Sequence, residues 1–354
     1  MIEQTNALLT IQKSLLAARL FDGFWDRWIA HGILFSETAG VRNCLKNVTK
    51  WEDSFRNTAD QHYEQATLYQ RTGAVRTAEE LYRLSSLYYN LIHWIYPDRT
   101  IEKIDWLKKA TEATERADLL SAIPRVRESV TVDGFKCPGR IRVPASPKGC
   151  IFIINPIDST KEELYTYEIQ FVEADYITVS FDGPGQGEAF TLNGLTATTK
   201  RWEQFLGKVI DLTHDMFPDL PIHLFGTSSG ASWAIHGSLN PKVYSSVAVS
   251  PPLASNGPMP HYFGERINFI SSEGAIVSPI TKRSDYPSVL LFHGAKDVMV
   301  NTADIHDFYQ RLPEPKQLVE YSDEGHCCNF KLEEVRRLAV EWFSSKGERK
   351  RDAI

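Results

Sequence analysis

The spacing of apolar residues changes once along the chain, near residue 125. Before that point apolar side chains recur every three or four residues, as at Leu20, Phe24 and Trp28, which is typical of amphipathic helices. After it, short apolar runs alternate with amphipathic stretches. We therefore predict a helical region over residues 1–125, followed by strands and helices over residues 126–346.

The apolar runs of the second region are short enough for strands, and several are apolar throughout, as expected for strands buried on both faces. They lie at 129–132, 139–143, 150–154, 176–181, 222–225, 245–250, 288–292 and 317–321. Helical segments separate most of them. This alternation predicts an α/β fold with a mostly parallel sheet covered on both faces. Residues 251–287 are rich in Pro, Gly and Ser and form a candidate lid.

One of these strands leads directly into Gly226-Thr227-Ser228-Ser229-Gly230, and a helical stretch follows. G-x-S-x-G between a strand and a helix is the nucleophile elbow of α/β-hydrolases, in which a sharp turn exposes the serine hydroxyl. We predict that Ser228 is a nucleophile. The alternative is a packing turn built from small residues.

A serine nucleophile needs a histidine base and a carboxylate that orients the base. In α/β-hydrolases these follow the serine in the order acid, then histidine. Asp297 comes just after the strand at 288–292, and His326 just after the strand at 317–321. We predict both as triad members, against the alternatives of a turn aspartate and a loop histidine bonded to backbone. His293 lies out of order, and we expect it to support the Asp297 loop.

An oxyanion that develops during acyl transfer needs two N–H donors. One is expected from Ser229, the residue after the nucleophile. The other is expected from the loop after the strand at 150–154, where Pro156 has no N–H to donate. Ile157 is therefore the predicted second donor.

Composition excludes several other classes of function. The net charge of −6 over 354 residues gives no overall basic field for nucleic acid, and we read the basic C-terminal residues 347–354 as a solvated tail. Five scattered cysteines without a C-x-x-C pair argue against a metal site. No P-loop or G-x-G-x-x-G motif is present, so we expect no cofactor. Without a signal peptide or a long apolar span, a cytoplasmic location without membrane attachment is expected.

Four stretches together resemble the FrsA-like α/β-hydrolases. They are the helical segment 71–89, the loop Asp158-Ser159-Thr160-Lys161-Glu162-Glu163, the turn Asp182-Gly183-Pro184-Gly185-Gln186-Gly187-Glu188, and the triad segments. The resemblance covers roughly residues 50–345. It implies that the helical region is a cap over the active site and that the protein is a homodimer. This chain has Asn155-Pro156 where the family usually has two glycines before the oxyanion donor.

The resemblance also implies a reaction: cleavage of a C–C bond next to a ketone in a bulky aromatic or polyketide-like small molecule. Asp158 is then a candidate acid/base that protonates the carbanion leaving group, or else a cap of the helix that follows it. The same triad could serve an esterase, a thioesterase, or an acyltransferase or cyclase. A non-catalytic binding protein on a hydrolase scaffold is the alternative from another class, although all three triad residue types are present.

Overall fold

The fold is described from a computed structural model, which covers residues 2–254, 259–273, 278, 280 and 285–351. A layer of helices comes first in the chain, and an eight-stranded sheet with its own helices follows. In the part of the chain so described, no helix combines the length and the apolar character needed to cross a membrane.

The N-terminal layer is helical, as the apolar spacing predicts. Its helices are α1 (Ile2–Leu20), α2 (Gly23–Ala30), α3 (Phe35–Ala39), α4 (Val48–Arg71), α5 (Val75–Ile95) and α6 (Ile101–Leu120). The side chains of Asn47 and Thr100 accept hydrogen bonds from first-turn N–H groups and so fix where α4 and α6 begin. Aromatic residues fill the layer's interior, where Trp25 stacks on Trp51 with ring centroids 5.9 Å apart.

The sheet is mostly parallel, with an antiparallel hairpin at one edge. Its strands are β1 (Arg125–Val132), β2 (Phe135–Arg142), β3 (Gly149–Ile154), β4 (Tyr176–Phe181), β5 (Ile222–Thr227), β6 (Val243–Val249), β7 (Val289–Gly294) and β8 (Lys316–Tyr321). They are arranged in the order β1-β2-β4-β3-β5-β6-β7-β8, and every pairing from β4 to β8 is parallel. The hairpin turns at Asp133 and Gly134, whose positive φ angles of 49° and 81° suit a tight two-residue turn.

Helices cover both faces of this sheet. They are α7 (Tyr165–Glu173), α8 (Gly187–Thr191), α9 (Thr199–Met216), α10 (Ser229–Gly237), α11 (His261–Ile270), α12 (Thr302–Arg311) and α13 (Leu332–Arg351). Successive side chains of β3 point to opposite faces: Phe152 packs in the cluster with α9, while Ile151 and Ile153 pack in the cluster with α7 and α13. The central strands are therefore apolar throughout because both of their faces are covered.

Two predicted segments fall partly outside the described residues. Within the candidate lid at 251–287, the structure describes helix α11, which packs against α1 through the Lys13–Glu265 ion pair. The remainder of that candidate lid lies partly outside the description. Helix α13 continues through Arg351 and so includes the first residues of the predicted tail, whose last three residues are not described.

Strand register brings the predicted site residues to one edge of the sheet. Ile154 at the end of β3 pairs with Gly226 of β5, and Val249 of β6 pairs with both Thr227 of β5 and Phe292 of β7. The carboxyl ends of these parallel strands are therefore neighbours, as in other open α/β sheets. The loops that leave them converge over the middle of that edge.

Candidate active site

Ser228 occupies a strained turn between β5 and α10. Its φ and ψ angles are 53° and −127°, a region that residues other than glycine rarely adopt. The turn requires glycines on both sides: a Cβ on Gly226 would lie 2.1 Å from the Gly230 carbonyl oxygen, and a Cβ on Gly230 would lie 2.2 Å from the Ile154 carbonyl oxygen. The sequence G-x-S-x-G therefore adopts the geometry that presents the Ser228 hydroxyl above the sheet.

The structure brings the three predicted triad residues into one hydrogen-bonded row. His326 Nε2 lies 2.8 Å from Ser228 Oγ, and His326 Nδ1 lies 2.8 Å from Asp297 Oδ2. The other carboxylate oxygen of Asp297 accepts from the N–H groups of Met299 and Val300, at 2.8 and 3.0 Å. These backbone bonds fix the carboxylate, which in turn orients the imidazole toward the serine.

The electrostatics of this row suit a base that carries charge during a reaction. Burial alone would lower the pKa of His326, but the Cys327 sulfur and the Asp297 carboxylate outweigh it and hold that pKa well above its ordinary value. Burial alone would raise the pKa of Asp297, but the hydrogen bond from His326 and the backbone N–H donors lower it. Asp297 is therefore ionised at neutral pH and stabilises an imidazolium.

Ser228 and His326 open onto a cavity of about 360 Å³ between the helical layer and the sheet edge. Its aromatic lining comprises Phe21, Phe24, Trp28, Trp94, Tyr167, Tyr262 and Phe263. Charged side chains at its wall include Asp26, Arg27 and Lys296. Trp25 and Trp51 of the helical layer are buried in its aromatic interior and do not line this cavity. The volume is that of a pocket for a small organic molecule.

The two predicted oxyanion donors are adjacent, but one of them is already paired. Ser229 is the first residue of α10, where a backbone N–H has no partner within the helix. The Ile157 N–H donates to the Ser229 hydroxyl at 2.7 Å. The loop after β3 therefore reaches the nucleophile, and a substrate oxygen would have to replace the Ser229 hydroxyl to receive this N–H.

Two of the stretches that carry the family resemblance support this loop. Gln186 donates through Nε2 to the carbonyl oxygens of Asn155 and Pro156, at 3.1 and 2.8 Å. Asp182 is fully buried and accepts from both the backbone N–H and the Nζ of Lys161, at 2.7 and 2.9 Å. The turn after β4 thus holds the loop after β3 at both of its ends, which agrees with a structural role for Asp182.

Asp158 does not cap the short helical turn Lys161–Leu164 that follows it, because no side-chain cap is present there. Its carboxylate instead accepts from Arg266 Nε at 2.7 Å. Asp158 lines a separate cavity of about 10 Å³, beside His93 and Lys103, and does not line the cavity that contains Ser228. The capping alternative is therefore excluded, and the acid/base role remains a prediction.

Sequence reasoning missed the arginines of this region. Arg27 and Arg266 occupy helices α2 and α11, and no motif distinguishes them from the other arginines of the chain.

The structure also places His293 and two cysteines near the site. His293 forms a hydrogen bond with Thr302 at 2.8 Å and so links the two ends of the Asp297 loop. Cys328 is buried, whereas Cys327 lines the cavity beside His326. Among the described residues, no cluster of His, Cys, Asp and Glu has the arrangement of a metal site.

Comparison with known proteins gives sequence relatives and a structural one. No protein-family model matches the chain. It is 27% identical to 2,6-dihydropseudooxynicotine hydrolase of Paenarthrobacter nicotinovorans over 60% of this chain and 57% of that protein. It is 32% identical to 20-hydroxy-prefusarin hydrolase FUS2 of Gibberella moniliformis over 34% of this chain and 31% of that protein. The matched segment thus spans about half of the first relative's length and about a third of the second's.

A solved hydrolase structure shares the architecture of this protein over nearly the whole chain. The crystal structure of 2,6-dihydroxy-pseudo-oxynicotine hydrolase superposes with a TM-score of 0.78, covering 91% of this chain and 95% of that one at 21% sequence identity. The match therefore includes both the sheet and the helical layer before it. The shared architecture shows that this chain has the α/β-hydrolase fold.

Proposed function

We propose that this protein is a serine hydrolase that cleaves an acyl group from a hydrophobic or aromatic small molecule. The observation that carries the proposal is the row from Ser228 through His326 to Asp297, with both contacts at 2.8 Å, at the wall of a cavity of about 360 Å³. The roles are those of the triad: Ser228 is the nucleophile, His326 the general base and acid, and Asp297 the group that orients the imidazole.

In the first half of the reaction, the Ser228 oxygen attacks the substrate carbonyl while His326 Nε2 takes the serine proton. The N–H groups of Ser229 and Ile157 bind the oxyanion that forms. When the tetrahedral intermediate collapses, the bond to the leaving group breaks and its electron pair goes to that group. The His326 imidazolium then donates its proton to the leaving atom, and an acyl-enzyme on Ser228 remains.

Water completes the reaction. His326, neutral again, takes a proton from a water molecule, whose oxygen attacks the acyl-enzyme carbonyl. Collapse of the second tetrahedral intermediate returns the proton to Ser228 and releases a carboxylic acid. In the leading version of the proposal the bond broken in the first half joins two carbons, and the leaving carbanion is stabilised as an enolate before it is protonated.

The lining of the cavity supports a hydrophobic or aromatic substrate. Aromatic side chains from helix α2, from the end of α5 and from α11 contribute to its wall, while Arg27, Lys296 and Asp26 supply charged groups. Burying an aromatic substrate against such a wall releases it from water, and a few polar groups then fix its orientation. The names of two relatives, 2,6-dihydropseudooxynicotine hydrolase and 20-hydroxy-prefusarin hydrolase, agree with an organic substrate. The homodimer implied by the resemblance remains a prediction.

An esterase is the second candidate, and the position of Asp158 favours it. A carbanion leaving group gains from a second proton donor, yet Asp158 does not line the Ser228 cavity and is paired with Arg266. An alkoxide or phenolate leaves more easily than a carbanion, and His326 alone can protonate it. The triad geometry itself is the same in both cases.

The test compares wild type with Ser228→Ala on p-nitrophenyl butyrate and on benzoylacetone, a β-diketone. We expect wild type to hydrolyse at least one of them and the variant to lose about 10⁵-fold in kcat on it. A fluorophosphonate probe should label wild type and leave the variant unlabelled. Cleavage of benzoylacetone supports the C–C hydrolase, and cleavage of the ester alone supports the esterase. Full activity or labelling of the variant would show that Ser228 is not the nucleophile.

A further inference from the structure

Asp158 is held from two sides by arginines that come from outside the loop. It follows Ile157, the predicted oxyanion donor, and its φ angle of 59° places it in the left-handed region. Aspartate tolerates that region better than most residues but does not prefer it. The surrounding contacts must therefore maintain this conformation.

Arg27 of helix α2 holds the backbone of this residue. Its Nη2 donates to the Asp158 carbonyl oxygen at 3.0 Å. The same guanidinium donates to both carboxylate oxygens of buried Glu163, through Nε at 3.0 Å and through Nη2 at 2.7 Å. Because Glu163 belongs to the helical turn that follows the loop, Arg27 fixes the separation between the Asp158 backbone and that turn.

Arg266 of helix α11 holds the side chain of the same residue. It is fully buried and pairs with the Asp158 carboxylate at 2.7 Å. Its other nitrogens donate to the carbonyl oxygens of Trp94 and Ile95, which end helix α5, and its guanidinium lies 3.8 Å from the Trp94 ring centroid. Arg266 therefore links the loop to the helical layer at the wall of the substrate cavity.

We propose that Asp158 is a positioning residue, fixed by Arg27 and Arg266, that holds the Ile157 N–H beside Ser228, where the oxyanion replaces the Ser229 hydroxyl as its acceptor. The inference rests on the proposed function and deepens it, since it assigns the shape of the oxyanion loop to the helical layer and α11. A buried arginine holds the Asp158 carboxylate away from the substrate cavity, where no leaving group meets it. The residue therefore acts through Ile157 and not as a proton donor.

The experiment measures kcat and KM of Asp158→Asn and Asp158→Ala on p-nitrophenyl butyrate. The p-nitrophenolate ion leaves without a proton, so a proton donor would be dispensable for this substrate. A positioning residue would still be needed, because a misplaced oxyanion donor costs about 10²-fold in rate. We expect about a 10²-fold loss of kcat for the alanine variant with KM nearly unchanged. The asparagine variant, which keeps an oxygen for Arg266 and tolerates positive φ, should recover about tenfold of that loss.

The outcomes separate the alternatives. Wild-type kcat in both variants on the ester would overturn the proposal. If benzoylacetone is also a substrate, a loss confined to benzoylacetone would instead identify Asp158 as a proton donor. Equal losses on both substrates support the proposal. If wild type neither cleaves any substrate nor reacts with a fluorophosphonate, the proposed function itself fails.

Two further variants keep the test independent of folding. Glu265→Gln is the matched control, because Glu265 precedes Arg266 on the same helix but pairs with Lys13 of α1, and its kcat should equal that of wild type. Arg27→Lys keeps the charge but cannot donate to the Asp158 carbonyl oxygen and to both carboxylate oxygens of Glu163 in the same way, so it should lower kcat by about tenfold. If Asp158→Ala does not fold, as judged by thermal unfolding, Arg27→Lys and Asp158→Asn decide the outcome. Unchanged kcat in both would overturn the proposal.

Discussion

The triad side and the oxyanion side of the candidate site lie against each other but are held by different kinds of contact. Ser228, Asp297 and His326 lie on short turns directly after β5, β7 and β8, and neighbouring backbone N–H groups fix the Asp297 carboxylate. The oxyanion loop instead depends on side chains that are distant in sequence. Arg27 and Arg266 are each more than a hundred residues from Asp158, which they contact.

This difference means that substitutions on the two sides of the site should have different effects on stability. The sheet and its turns alone position the triad side chains, so a substitution there should lower the catalytic rate and leave the fold intact. The oxyanion side is part of a buried charged network that joins the sheet to the helical layer. Because removal of one partner leaves an uncompensated buried charge, a substitution there should affect stability and rate together.

The largest expected effect is on the triad side. Asp297→Asn should lower kcat by about 10⁴-fold, because an amide no longer holds His326 with its proton on Nδ1 and no longer stabilises the imidazolium. Its unfolding temperature should stay close to that of wild type, since the N–H groups of Met299 and Val300 keep an oxygen acceptor. Ester kinetics and thermal unfolding check both parts.

The control for that variant is Asp323→Asn, which changes an exposed carboxylate in the loop that precedes His326. Its kcat should match that of wild type. A large loss of stability in Asp297→Asn would contradict the comparison, because the triad side would then also be part of the structural network.

A smaller effect on rate but a larger effect on stability is expected on the oxyanion side. Glu163→Gln should lower the free energy of unfolding by about 2 kcal/mol, because it leaves Arg27 and Asn90 without the buried carboxylate that they share. It should also lower kcat by about tenfold, since the loop loses the anchor at one end. Urea unfolding followed by ester kinetics measures both quantities.

Glu341→Gln is the matched control, because its carboxylate forms an exposed pair with Arg337 within one helix. Such a pair contributes less than about 0.5 kcal/mol. If Glu163→Gln were as stable as this control, the ion pairs around the loop would not join the helical layer to the sheet, and the comparison between the two sides would fail.

The same contrast explains what the sequence predicts and what it leaves hidden. The triad order, the elbow glycines and the strand ends are local patterns, and register then brings Ser228, Asp297 and His326 together. The helical layer and the mostly parallel sheet follow from apolar spacing for the same reason. Ile157 is predicted as a donor because Pro156 lacks an N–H, and that role stays a prediction; its hydrogen bond to Ser229 depends on tertiary packing and could not be predicted.

The partners of Asp158 could not be predicted. A capping role is the natural interpretation of an aspartate before a helical turn, and it was excluded because Arg266 competes for the carboxylate from another part of the chain. Nothing in the pattern around Arg27 or Arg266 indicates a contact with residue 158. Ion pairs between residues that are distant in sequence follow no repeating spacing, so they can be identified only from the folded structure.

The smallest expected effect is a shift in the pH dependence of kcat/KM, without a change in its maximum. The base must be neutral to take the Ser228 proton, so kcat/KM should rise as the pH increases through the pKa of His326, which lies above its ordinary value. The Cys327 sulfur is a leading cause of that raised pKa. Cys327→Ala should therefore lower the pKa of His326 and move the acidic limb of the profile to lower pH, while the plateau at high pH stays near that of wild type. Cys44→Ala, which removes an exposed thiol of the helical layer, should leave the profile in place. If the acidic limb of Cys327→Ala coincides with that of wild type, Asp297 alone sets the pKa of the base, and the triad side is simpler than we infer.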